Sequence, residues 1–143
     1  MDIEKAFAIS ASGLNAQKRR LEVIASNLAN VESTRTKEGG PYQRKDVIFA
    51  TTPVEAALEE PTEFAQIYQG VKISKITRDL TPLKKVFEPQ HPDADVDGYV
   101  LYPNVNGVTE MVNMLSALRS YDANVTALDA SKNMAMKALE IGR

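Results

Sequence analysis

Residues 3–31, IEKAFAISASGLNAQKRRLEVIASNLANV, decide how the rest of the chain is read. Phe7, Leu14, Leu21 and Leu28 recur at steps of seven, with Ile3, Ile24 and Val31 on the same seam. That is the a/d spacing of helices that pack along their length. A helix over residues 3–31 is roughly 43 Å long at about 1.5 Å per residue. The other seam positions are weak. Ser10 and Gln17 are polar, and Ala6, Ala8, Ala11, Ala16, Ala25 and Ala29 are small. Such a seam lets helices approach closely but gives a lone helix little reason to fold.

The far end of the chain mirrors the first. From Val108 to Ile141 there is no Pro, and no Gly before Gly142. Met111, Leu115, Leu118, Val125, Leu128 and Leu139 form an apolar stripe, extended by Met114, Tyr121 and Ala135. Thr109 is the expected cap of this helix. Between the two ends the composition changes: all seven Pro and five of the seven Gly fall between residues 39 and 107. Segments 42–49 and 71–77 read as strands, and 84–87 and 98–102 as weaker ones. Pro53 and Pro61 bracket a short acidic stretch that reads as a helix turn or a loop. The expected fold is mainly α with a small β insertion. Long helices at 1–35 and 108–143 form an antiparallel coiled coil around a loop-rich β middle at 36–107.

Two such helices make a thin core. Burying a large apolar side chain stabilises by roughly 1.5 to 3 kcal/mol, while ordering each residue costs about 1 to 2 kcal/mol of backbone entropy. The pair is therefore expected to be marginal alone and stable in an assembly. The remaining bulk properties exclude more than they identify. Among 143 residues, 43% are hydrophobic and 6% aromatic, with no Trp. The 17 basic and 19 acidic residues give a net charge of -2, which offers no general attraction to nucleic acid or an anionic membrane. With no Cys, disulfides, thiolate metal ligands and a thiol nucleophile are excluded. The N-terminal residues lack the basic start and apolar run of a secretory signal peptide. No stretch has the roughly 18 to 20 apolar residues of a membrane span.

Several motifs invite a chemical reading. Asp93-Ala94-Asp95-Val96-Asp97-Gly98 matches the opening of a calcium-binding EF-hand loop. However, Asn104 stands where the bidentate Glu is needed, and Pro89, Pro92 and Pro103 forbid the flanking helices. An acidic turn entering a strand accounts for it. His91 is the only His and has no nucleophile or second imidazole beside it. Lys18-Arg19-Arg20 spreads around a helix rather than forming a basic stripe. Gly39-Gly40-Pro41 lacks the Lys-Ser/Thr of a phosphate loop and reads as a hinge. No catalytic residue, metal, cofactor, nucleic acid or small-molecule substrate is expected.

Residues 10–34, with the core ASGL followed by IASNLAN, resemble the N-terminal signature of flagellar rod and hook proteins. Residues 90–127 are similar to the tract and C-terminal helix of the proximal-rod members of that family. The resemblance is densest at both ends and weakest from about 50 to 70. It implies a structural subunit that crosses the inner membrane through the flagellar type III export apparatus without a cleaved signal. It further implies assembly in the periplasm into the rod of the basal body. Implied partners are copies of itself, other rod subunits, and the membrane-ring and export-gate proteins at the rod base. The expected assembly residues are Leu14, Leu21, Ile24, Asn27, Leu28 and Asn30 of the first helix. Those of the second are Met111, Leu115, Leu118, Tyr121, Asn124, Val125 and Leu128. For each apolar member the competing role is packing within the chain, and for Asn27 and Asn30 it is a helix end or local turn. The rival function is a soluble coiled-coil adaptor or chaperone, which predicts a discrete stable oligomer instead of a polymer.

Overall fold

A computed structural model describes residues 3–54 and 68–142. In chain order these form α1 (Ile3–Ala29), β1 (Lys45–Pro53), β2 (Gln69–Arg78), β3 (Lys84–Phe87), β4 (Tyr99–Tyr102) and α2 (Gly107–Ile141). β1 and β2 make an antiparallel ribbon in which Lys45 faces Arg78 and Pro53 faces Gln69, with a register shift between Ile48 and Phe49. β3 and β4 make a second antiparallel pair, with Val86 opposite Val100 and Phe87 opposite Tyr99. All four strands overlap the segments read as strands from the sequence, although the first starts later and runs on to Pro53. The acidic stretch between Pro53 and Pro61 lies, from residue 55 on, outside the described residues.

Both helix boundaries differ from the sequence expectation. α1 stops at Ala29, short of Val31, because Asn30 turns the chain. The Asn30 amide donates to the Ser26 carbonyl at 2.8 Å, and its oxygen accepts from Ser33 Oγ at 3.1 Å. α2 begins at Gly107, and its cap is Asn106 rather than Thr109. Asn106 is extended (φ -102, ψ 110), and its side-chain oxygen accepts the Thr109 N–H at 3.1 Å. Asn at this position satisfies a donor that the helix cannot, whereas Thr109 already lies inside the first turn.

The helices run antiparallel. The end of α1 meets the start of α2 where Asn27 donates to Glu110 at 2.9 Å. Farther back, Gly13 lies so close to Asn124 that a Cβ on Gly13 would sit 2.7 Å from the Asn124 oxygen. Each step back along α1 is thus matched by a step forward along α2. The other flank of α1 carries the β1–β2 ribbon. Ser12 Oγ accepts the Val71 N–H at 3.0 Å, and a Cβ at position 70 would sit 2.7 Å from that hydroxyl.

α2 shields part of the apolar stripe read from the sequence (Met114, Tyr121, Leu128 and Ala135) and leaves Met111, Leu115, Leu118 and Leu139 exposed. Its shielded positions include Glu110, Met114, Ala117, Tyr121, Asn124, Leu128, Ser131 and Ala135, at alternating steps of four and three. The more apolar stripe lies one residue further round, and Met111, Leu115 and Leu118 are 59%, 57% and 41% exposed. The fully buried positions of α2 are thus small or polar, its larger Met114, Tyr121 and Leu128 are half-buried, and Met111, Leu115 and Leu118 are left outside.

Candidate assembly surface

The polar end of the seam is a network with Asn27 at its centre. Asn27 is completely buried, and so nearly is Glu110. The Asn27 amide donates to the Lys45 carbonyl at 2.8 Å and to Glu110 Oε2. Its oxygen accepts from Tyr42 Oη and from the Lys45 N–H, both at 3.0 Å. Every hydrogen-bonding position of the amide is filled. Glu110 Oε1 accepts from Arg44 Nε at 2.9 Å and from the Asn113 amide at 3.2 Å. Arg44 also faces Asp46 at 3.1 Å and Asp79 at 3.5 Å. Burial alone would lower the Arg44 pKa, but the bonds and charges of Glu110 and Asp46 outweigh it and raise it further. Asn104 completes the join, accepting the Arg44 N–H at 2.8 Å and donating to the Asp79 carbonyl at 3.0 Å. One cluster thus ties the end of α1, the start of α2 and the first strand together.

The expected assembly residues divide into three groups. Asn27 and Ile24 are buried within the chain, and Asn30 makes the turn that ends α1. Asn124 packs against Gly13 and donates to the Ser120 carbonyl at 2.9 Å. Leu14, Leu21, Leu28, Tyr121, Val125 and Leu128 are half-buried. Met111, Leu115 and Leu118 are open to solvent, and the exposed Val108 and Val112 extend their stripe. Single exposed apolar residues are ordinary, but five on one helical face form a contiguous patch of the kind that marks an interface. Towards the end of α2, Met134, Met136, Leu139 and Ile141 are exposed as well.

Sequence reasoning missed Glu110 and Arg44. A lone Glu in the first turn of a helix reads as a partner of the helix dipole. Nothing local shows that an Arg from a strand comes to meet it. The acidic turn is a built turn: Asp95 Oδ1 accepts the N–H groups of Asp97 and Tyr99 at 3.0 and 2.8 Å, and Gly98 takes φ +79. Asp93 accepts from Thr34 Oγ1 at 2.8 Å. His91 Nδ1 accepts the Asp93 N–H at 3.1 Å. The Gly39-Gly40 hinge is a closed turn, with both glycines at positive φ and the Thr36 N–H bonded to the Gly40 carbonyl at 2.8 Å. Among the described residues, no three of His, Asp and Glu come together as a metal site.

Comparison with known proteins gives the same two ends. The family model described as flagella basal body rod protein matches residues 7–35. The model described as flagellar basal body rod FlgEFG protein C-terminal matches residues 96–141. Similar curated proteins extend across the middle too. The flagellar basal-body rod protein FlgC of Borreliella burgdorferi is 42% identical, covering 99% of this chain and 98% of its own. Those of Bacillus subtilis and Salmonella typhimurium are each 44% identical, covering 94% and 96% of this chain and 95% and 96% of their own.

Proposed function

The chain belongs to the FlgC family of flagellar basal-body rod proteins, and from that premise we propose that its terminal helices form an antiparallel coiled coil that polymerises in the proximal rod. Family membership makes it a structural subunit of the rod and not an enzyme. The adaptor or chaperone reading has no counterpart among these relatives.

The observation that carries the proposal is the exposed apolar stripe of α2, which lies beside the seam that faces α1. The seam shared with α1 holds Ala117, Asn124 and Ser131, while Met111, Leu115 and Leu118 stand exposed. A helix that keeps its larger apolar side chains outside has them available for neighbouring helices. In this reading the exposed stripe makes the contacts between subunits. Ile24, Asn27 and Asn124 act earlier, by giving each subunit the shape that is repeated. The half-buried Leu14, Leu21, Leu28, Tyr121, Val125 and Leu128 serve both contacts, within the chain and between copies. The neighbours are copies of the chain, other rod subunits, and ring and export-gate proteins at the rod base. Delivery is through the type III export apparatus, without a cleaved signal, to a rod in the periplasm.

The test is Leu115→Asp combined with Leu118→Asp. Both sites are exposed, so the monomer should keep its stability within about 0.5 kcal/mol per site, while rods fail to form and cells do not swim. Normal rods and motility in that variant would remove the stripe from the interface.

A further inference from the structure

We infer that Asn27, Glu110 and Arg44 form a keystone that folds one end of both helices with the β middle before assembly, leaving two helical arms that become ordered on neighbouring subunits. The inference rests on the rod reading and adds a division within each helix. The roots are residues 20–29 of α1 and 107–117 of α2. The arms are residues 3–17 and 120–141.

The two parts are held by different interactions. The largest side chains that are fully buried are Glu110, Val100 and Asn27, and all three belong to the root or to the strand that leads into it. Every side-chain polar atom of Asn27 and Glu110 has its partner inside the chain. Ile24 and Ala117 add apolar contact there. The arms bury Ser10, Ala16 and Ser131, none larger than a few heavy atoms. Gln17 Oε1 is shut away from solvent with no hydrogen-bond partner, an arrangement that opposes closure of the arms. Where the arm of α1 meets the ribbon, the bond from Val71 to Ser12 is exposed. At the outer end of α2, Met134, Met136, Leu139 and Ile141 are each half exposed or more.

The division matters because starting a helix is the costly step. Fixing the first turn orders several residues for one hydrogen bond, with a nucleation parameter on the order of 10⁻³, whereas each further residue adds a bond of its own. A preformed root supplies both nuclei. The arm of α1 then grows from residue 20 towards the N-terminus, and that of α2 from residue 117 towards the C-terminus. Each follows a line already set by the root, so an arriving neighbour has only propagation to support. Asn27 and Glu110 are thus positioning residues for assembly, and they touch no partner themselves.

The experiment is amide hydrogen exchange on the full-length monomer, resolved by segment, in the wild type, Glu110→Ala and the shape-conserving Glu110→Gln. In the wild type, root amides should exchange at least about tenfold more slowly than those of residues 120–141, with the strands protected like the root. Glu110→Ala should bring the root to the rate of the arms while β1 and β2 stay protected, and Glu110→Gln should fall between. Roots that exchange as fast as arms in the wild type would overturn the keystone and leave the rod reading standing. Uniform protection of both helices in the monomer would overturn both. If Glu110→Ala loses protection everywhere, the wild-type contrast and Glu110→Gln still decide the question.

Discussion

The two ends of the helix pair are closed by different chemistry. At the root, Asn27 and Glu110 are sealed from water with a full set of partners. At the other end, Gly13 meets Asn124, and Ser10, Ala16 and Ser131 are the buried groups. The first arrangement is specific: its bonds form in one register and are lost in any other. The second is permissive, because small side chains let the backbones approach without dictating where. A subunit that must be a defined object and yet remain adaptable needs both, and here they lie at opposite ends of the same two helices.

The largest expected effect breaks the specific end. Glu110→Ala leaves the Arg44 guanidinium without its best partner and removes one acceptor of the Asn27 amide. Breaking a buried, hydrogen-bonded pair costs about 3 to 5 kcal/mol. The lower end applies, since the Arg44 side chain is 19% exposed and keeps Asp46 and Asp79. Ser131→Ala in the arm removes only a bond to the Ala127 carbonyl, and should change stability by less than about 0.5 kcal/mol. Urea unfolding followed by far-ultraviolet circular dichroism measures both. Equal losses at the two sites would erase the contrast between root and arm.

A smaller effect probes the permissive end. Gly13→Val places a branched side chain where a Cβ alone would sit 2.7 Å from Asn124 Oδ1 and 3.1 Å from its Cγ. Overpacking of this kind costs about 1 to 3 kcal/mol. Because the arms contribute little to the monomer, the loss should show mainly as reduced rod yield. Gly13→Ala with Asn124→Ala relieves the contact and gains up to about 1 kcal/mol of helix propensity at position 13. That double variant should therefore assemble better than Gly13→Val, while failure of both would show that the Asn124 amide is itself required.

Much of this was legible in the sequence, and the limits have physical causes. The steps of seven from Phe7 to Leu28 announce α1, the Pro-free run from Val108 announces α2, and short apolar segments between Pro and Gly residues mark the strands. Which residues of the α2 stripe pack within the chain was not legible, because periodicity reports that a helix has an apolar stripe and not which body covers it. Met111, Leu115 and Leu118 have the same spacing whether their cover is α1 or another subunit. Thr109 and Asn106 are both capping types, and the choice depended on where the strand from Tyr99 hands over to the helix. The keystone was half visible: Asn27 stood out as a polar residue in an apolar run, but Arg44 and Glu110 reach it across 17 and 83 positions of chain, where no local pattern operates.

The smallest effect sharpens the comparison through pH. Asp79 accepts the Thr81 N–H at 2.9 Å and faces Arg44. The Thr81 backbone and hydroxyl bonds, followed by the Arg44 charge, hold its carboxyl below the ordinary value of 3.8. A carboxylate with a lowered native pKa contributes stability that is complete above the unfolded value and disappears as pH falls through the native one. The wild type should therefore exceed Asp79→Asn in stability at neutral pH, and the two should converge as pH drops below 3.8. Circular dichroism over an acid series measures the gap. Because Asp79 reaches the helices only through Arg44 and Asn104, the convergence should appear in exchange of the root and strands and not in residues 120–141. A gap that persists unchanged into acid would mean that the variant acts through its altered bond to Thr81, and that the charge of Asp79 adds nothing to the specific end of the molecule.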